Sequence, residues 1–242
     1  MKRAVILAGG TGTRLRPYTT VLPKPLMPIG DRPVLDIVVR QLKAHGFERI
    51  TMATGYLAEL IEAFFRDGSA YGVQVDYYRE MEPLGTVGAL ALIEGLTEDH
   101  VLVMNGDVLT DIDYGALLER HRAGDAVATI ATKVRQVQIS LGVLRFGDDR
   151  DSTLLTGYDE KPSIDYTASM GVYCFAPRAL GYIKPGERID FPDLILRLIA
   201  AGETVRAWQS DDYWLDIGRH EDYEQAQDEF ASVRDRLIPP ER

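Results

Sequence analysis

A single cysteine, Cys174, stands in a chain of 242 residues, so no internal disulfide framework is available. The same count excludes multi-cysteine metal centres, and the four scattered histidines carry no zinc-ligand spacing. Long apolar runs are missing too. The N-terminal apolar stretch, residues 4–8, is too short for the core of a signal peptide or for a membrane span. The chain therefore reads as cytoplasmic, with no membrane partner. Positive charge is scarce: 27 Lys and Arg face 37 Asp and Glu, a net charge of −10. That balance argues against a general nucleic-acid binder, which needs a basic surface.

The scarce positive charge is unevenly spread. Residues 1–43 hold eight Lys and Arg, among them Arg14, Arg16 and Lys24, against only Asp31 and Asp36. This segment is +6 and the remainder −16. A positive segment in an acidic chain suits a small anionic ligand gathered at one place.

Apolar patterning predicts strands at 4–8, 50–54, 73–78 and 100–104, alternating with helices at 33–45, 57–65 and 86–93. Such a βαβα rhythm implies an α/β fold, a Rossmann-like, mostly parallel sheet flanked by helices. Beyond residue 125 come strand-like pieces at 126–132, 141–146, 154–158 and 170–175, then a helix at 191–200. Strands near 204–208 and 213–215 and a polar helix from His220 complete the pattern. These are expected to add strands to the same sheet and to build a lobe over its edge. With no repeat or linker, one domain over 1–242 is expected, in two halves, 1–110 and 111–242. Residues 234–242, with Pro239-Pro240, read as a frayed tail.

The first strand runs into Gly9-Gly10-Thr11-Gly12-Thr13-Arg14-Leu15-Arg16. Glycines let backbone N–H groups approach phosphate oxygens closely, and the arginines add charge. A dinucleotide fingerprint fails because position 15 is Leu rather than Gly, and a Walker loop fails because no Gly-Lys-Ser/Thr is present. Pro23-Lys24-Pro25-Leu26 then presents a lysine on a stiffened, extended backbone. Glu82-Pro83-Leu84-Gly85-Thr86, Asn105-Gly106-Asp107, Glu160-Lys161-Pro162 and Trp214-Leu215-Asp216-Ile217-Gly218 follow. Singly, each has a plain structural explanation: a turn, a surface pair, a bend.

Taken in this order, the motifs resemble the sugar-1-phosphate nucleotidyltransferase family, from Lys2 to about Tyr223. The resemblance implies the nucleotide-diphospho-sugar transferase fold, with nucleoside triphosphate and sugar 1-phosphate as substrates and Mg²⁺ as cofactor. It implies that Leu7, Gly9, Gly10, Gly12 and Thr13 cradle the nucleotide, with Glu82, Gly85 and Thr86 at its base. Arg14, Lys24 and Lys161 would be catalytic, neutralising the pyrophosphate, the α-phosphate and the sugar phosphate. Asp107 and Asp216 would hold the metal. Asp107, Gly142, Glu160, Lys161 and Ser169 would line the sugar-phosphate side, with 1–110 the nucleotide-binding half and 111–242 the sugar-phosphate-binding half. A homo-oligomer stays open. Because the chain stops soon after Asp216, a C-terminal left-handed β-helix is not expected.

The base is argued from hydrogen-bond chemistry. A carboxylate only accepts hydrogen bonds, and guanine offers N1–H and an amine side by side, whereas thymine and uracil offer one N–H between two carbonyls. Glu82, with Glu80 as second candidate, therefore favours GTP, and UTP or dTTP is the alternative. Ser169-Met170-Gly171 stands where mannose guanylyltransferases carry Asn-Ala-Gly, so the sugar stays open. Rival readings are a non-catalytic sugar-nucleotide-binding regulator and transfer to a non-sugar phosphate.

Overall fold

The computed structural model describes residues 1–147 and 153–240. Numbered in chain order, its first half contains β1 (Lys2–Ala8), β2 (Pro28–Ile29), β3 (Arg32–Pro33), α1 (Val34–Ala44), β4 (Phe47–Thr54), α2 (Ala58–Phe65), β5 (Gln74–Arg79) and β6 (Val101–Asn105). Then come β7 (Val108–Thr110), α3 (Tyr114–Arg122), β8 (Ala128–Gln138), β9 (Val143–Phe146), β10 (Leu155–Asp159) and β11 (Ser163–Phe175). The chain closes with α4 (Pro177–Leu180), α5 (Phe191–Ala200), β12 (Val205–Gln209), β13 (Trp214–Asp216) and α6 (His220–Leu237).

Seven strands form one sheet in the order β12-β8-β11-β6-β1-β4-β5. Only β11 runs antiparallel to its neighbours, so the sheet is mixed and mostly parallel, as the patterning implies. Val5 and Ile6 of β1 are fully buried because their side chains point to opposite faces of a sheet covered on both sides. One face packs Ile6, Leu35, Val38, Leu42, Leu117 and Leu118, and the other packs Val5, Val103, Phe175, Leu194 and Leu198. Each fully buried aliphatic side chain contributes about 1.5–3 kcal/mol. A third cluster joins Leu15, Met27 and Ile29 of the segment after β1 to Leu215, Phe230 and Val233 near the C-terminus.

Four expectations are corrected. Residues 86–93 form no α-helix, only a single 3₁₀ turn at Gly88–Ala91. A side chain at Gly88 would collide with the Glu187 carbonyl, so this segment is shaped by contact with a distant loop, not by helical period. Strands β8 and β11 are longer than their apolar runs, because their outer halves pair with each other as an exposed arm (Lys133↔Ala168 to Gln138↔Ser163). Helix α3, which the apolar patterning does not mark, starts where the Asp113 carboxylate accepts from the Ala116 N–H. The start of the tail is not frayed: α6 continues to Leu237, which is fully buried, and Gln41 Nε2 donates to its carbonyl at 2.8 Å, while residues 241 and 242 of that expectation lie outside the described residues.

Candidate active site

The C-terminal ends of β1 and β6 open onto a cleft of about 470 Å³. That edge is where open α/β sheets bind ligands, because helix and loop backbone N–H groups converge there. Gly9, Gly10, Gly12, Thr13 and Arg14 line it, with Leu7 below them. Gly12 adopts φ +60°, and a Cβ there would come within 2.9 Å of Thr19 Cγ2, so the turn needs glycine. Thr19 Oγ1 donates to the Gly12 carbonyl at 2.8 Å, and Leu15 is fully buried beneath, which anchors the exposed loop. Arg14 sits beside Gly218, where an added Cβ would lie 3.6 Å from Arg14 Nη1.

Lys24 rises from the cleft floor; contrary to the expected extended backbone it opens a 3₁₀ turn, Lys24–Leu26, and only Pro23 before it is extended, with Pro25 buried after it. Its ammonium forms an ion pair with Asp107. Asp107 lies in the β6–β7 turn, fixed because Gly106 N–H donates to Leu7 O at 2.9 Å and Asp107 O accepts from Ile217 N–H at 3.1 Å. The antiparallel pairing of β7 with β13 sets Asp216 opposite Val108, so the two acids become neighbours across a hundred residues. Loss of hydration raises the Asp216 carboxyl first and the Asp107 charge adds to it, while Lys24 and Arg14 pull the other way. Two adjacent carboxylates of like charge suit a hard divalent cation. Among the described residues no group of three or more metal-ligating side chains exists, so remaining coordination positions would fall to phosphate and water oxygens.

At the other end of the cleft two distant segments are strapped together. Ile189 N–H donates to Leu84 O at 3.0 Å, and Val87 N–H to Ile189 O at 3.2 Å. Thr86 N–H donates to Asp190 Oδ1, and Phe191 N–H to Thr86 Oγ1, both at 2.8 Å. Gly85, at φ +77°, has room for no Cβ, which would lie 2.5 Å from Ile189 O. Gly85, Thr86, Pro83 and Arg188 line the cleft here, and Glu80 reaches from here to the glycine loop, its Oε1 3.1 Å from where a Cβ on Gly9 would lie. Glu80 is half-buried, accepts from Leu84 N–H at 3.3 Å, and has its pKa raised by burial against that hydrogen bond. Glu82 is exposed and lies outside the lining.

The remaining candidates, Gly142, Glu160, Lys161 and Ser169, stand on the β8–β11 arm and its hairpin, and none lines this cleft. The Tyr158 hydroxyl lies directly over Gly142, and it donates to Glu160 Oε2 at 3.0 Å. Lys161 holds a left-handed backbone at φ +46°, rare for a residue with a side chain. Ser169 Oγ donates to Tyr173 Oη at 3.0 Å, just before Gly171, which approaches Asn105. Sequence reasoning missed Arg188. No motif surrounds it, and only the strap to residues 84–87 brings it to the cleft. A larger cavity of about 640 Å³, between the end of α3 and β12, contains none of these residues.

A family profile described as nucleotidyl transferase matches residues 3–233. The chain is 37% identical to a UTP–glucose-1-phosphate uridylyltransferase of Synechocystis sp., over 93% of this chain but only 62% of that protein. It is 32% identical to a D-glycero-alpha-D-manno-heptose 1-phosphate guanylyltransferase of Aneurinibacillus thermoaerophilus, covering 94% of this chain and 97% of that one. Among solved structures, HddC from Yersinia pseudotuberculosis superposes with a TM-score of 0.72 at 28% identity, covering 95% of this chain and all of the other. The same protein complexed with GMP-PN gives a TM-score of 0.67.

Proposed function

The chain belongs to the nucleotidyl transferase family, and on that premise we propose that it transfers a nucleoside monophosphate from GTP to a sugar 1-phosphate, releasing pyrophosphate. The observation that carries this reading is the meeting of Lys24, Asp107 and Asp216 beside the glycine loop.

The reaction needs no general base, because the attacking sugar-phosphate oxygen is already anionic. Catalysis then consists of aligning two anions and neutralising their charge in line. The N–H groups of Gly9–Thr13 and the Arg14 guanidinium hold the departing pyrophosphate. Lys24 exchanges its contact with Asp107 for the α-phosphate as charge builds there. Asp107 and Asp216 would hold Mg²⁺, which when bound supplies further neutralisation of phosphate oxygens. Residues 1–110 supply most nucleotide contacts. Gly142, Glu160, Lys161 and Ser169 belong to the sugar-phosphate side, the arm closing over the cleft for its Lys161 to reach the phosphate.

Base choice rests on Glu80 in preference to Glu82, since Glu80 faces the cleft. Its acceptor-only carboxylate matches the paired N–H donors of guanine. UTP is the second reading, favoured by the 37%-identical uridylyltransferase, yet uracil offers Glu80 a single N–H flanked by carbonyls. A pyrophosphate-release assay crossing GTP, UTP, dTTP, CTP and ATP with mannose, glucose, N-acetylglucosamine and heptose 1-phosphates tests both readings. Release with GTP supports the first and release with UTP alone the second; silence with intact nucleotide binding would replace both with a regulator.

A further inference from the structure

We infer that Arg188 reads the nucleotide base, its guanidinium donating to O6 and N7 of guanine beside the N–H edge that Glu80 accepts. The inference rests on the GTP reading above and extends it to a second residue.

Arg188 lines the cleft, and its side chain forms no hydrogen bond or ion pair among the described residues. The acid next to it is already committed. Glu187 is gripped by Arg197 through two bonds of 2.9 and 2.7 Å, which hold its carboxyl down to about 2. Arg188 is therefore an exposed cation uncommitted among the described residues, whereas the neighbouring Arg197 and the exposed Arg206 are paired. Its backbone position is not free. The Ile189 bonds to Leu84 and Val87, closed against Gly85, place it next to the residue that pairs with Leu84, whose own N–H donates to Glu80. The other two cations of the lining stand elsewhere, Arg14 directly after the glycine loop and Lys24 paired with Asp107.

The two side chains are complementary in kind. Glu80 only accepts and Arg188 only donates. Guanine presents, in order along one edge, an amine, N1–H, O6 and N7: two donors followed by two acceptors. A rigid guanidinium fork matches the O6/N7 pair bidentately. Adenine would turn its amine toward Arg188, and the pyrimidines have no second acceptor there. One residue thus excludes ATP, and the pair excludes UTP.

The test measures pyrophosphate release by the full chain and by R188Q and R188K, using GTP, 7-deaza-GTP, ITP and UTP with the best sugar 1-phosphate. For the unaltered chain, 7-deaza-GTP, which lacks the N7 acceptor, should show kcat/KM roughly tenfold below GTP. In R188Q, GTP should fall by roughly the same factor, mainly through KM, and the 7-deaza penalty should vanish. The ITP penalty, which belongs to Glu80, should persist. R188K keeps the charge and can still donate from one ammonium to O6 and N7, so it should retain part of the 7-deaza penalty that R188Q loses. Absence of a 7-deaza penalty in the unaltered chain would overturn the inference. So would an equal loss on every nucleotide with the 7-deaza penalty intact, which would place Arg188 on the phosphates. Preference of the unaltered chain for UTP over GTP is visible before any variant is made, and would overturn the GTP reading itself.

Discussion

Lys24 and Asp107, 83 residues apart in the chain, form an ion pair on the cleft floor, their side chains 11% and 23% exposed. Each is held by neighbours that leave little freedom: two prolines for the lysine, a backbone bond on either side for the acid. The pair offsets one of two adjacent negative charges, while burial first and the Asp107 charge second raise the pKa of Asp216. Removing either partner leaves the other partly buried and unmatched, a cost that surface pairs do not carry.

Asp107→Asn should therefore lower turnover by roughly a hundred- to a thousandfold, the usual effect of losing one transition-state electrostatic group. The fold should persist, as seen by circular dichroism and thermal melting. Full activity in a folded variant would remove Asp107 from the site.

Glu80 and Glu82 make opposite predictions. Glu80→Gln should reduce kcat/KM for GTP by roughly tenfold or more while improving UTP, because an amide offers both a donor and an acceptor. Glu82→Gln should change neither by more than about threefold, since an exposed side chain outside the cleft loses only a surface charge. Steady-state kinetics on both variants decide between them.

Gly85→Ala should destabilise the protein by about 1–3 kcal/mol, the cost of a left-handed backbone in a residue with a side chain. The approach of Ile189 O, 2.5 Å from the position of the added Cβ, forces the strap apart as well. Urea denaturation should show the stability loss and nucleotide KM should rise together with it. A variant as stable as the parent would mean that the strap tolerates the shift.

Acid stability should depend on His121. The residue is 2% exposed, with Nδ1 bonded to Thr129 Oγ1 at 2.8 Å and its ring 5.0 Å from that of His100. Burial first, then the His100 charge, lowers its pKa to about 4, against about 6.5 in the unfolded chain. Between these values the unfolded chain holds a proton that the folded one refuses. Stability is accordingly full above pH 6.5 and is lost as pH falls toward 4, by about 2–3 kcal/mol from this group. Urea titrations at about pH 7.5 and about pH 5 should show the loss, and His121→Gln should flatten it.

Much of the architecture can be read from local pattern. Helix α1 falls within one residue of its apolar period, and the glycine loop stands where β1 ends. These features depend on neighbours in sequence: side-chain alternation, helical spacing and glycine conformational freedom act over a few residues. Helix α3 is legible too once Asp113 is read as a cap before Leu117 and Leu118. The outer halves of β8 and β11 are not, because they pair only with each other and their apolar residues, Val134, Val137, Ile164 and Tyr166, stand exposed among polar ones and form no continuous buried run.

The cleft itself divides along the same line. The glycine loop suggests phosphate by residue type, whereas the phosphate and cation roles expected of Lys24, Asp107 and Asp216 follow from the family that the order of the motifs resembles. Which glutamate faces the cleft, and that Arg188 stands near it, came from the strap between residues 84–87 and 189–191. Its hydrogen bonds join segments a hundred residues apart, and no local propensity encodes such a pairing. Charge and conformational preference are properties of residues and travel with the sequence; proximity between distant segments exists only once the sheet and its loops have closed.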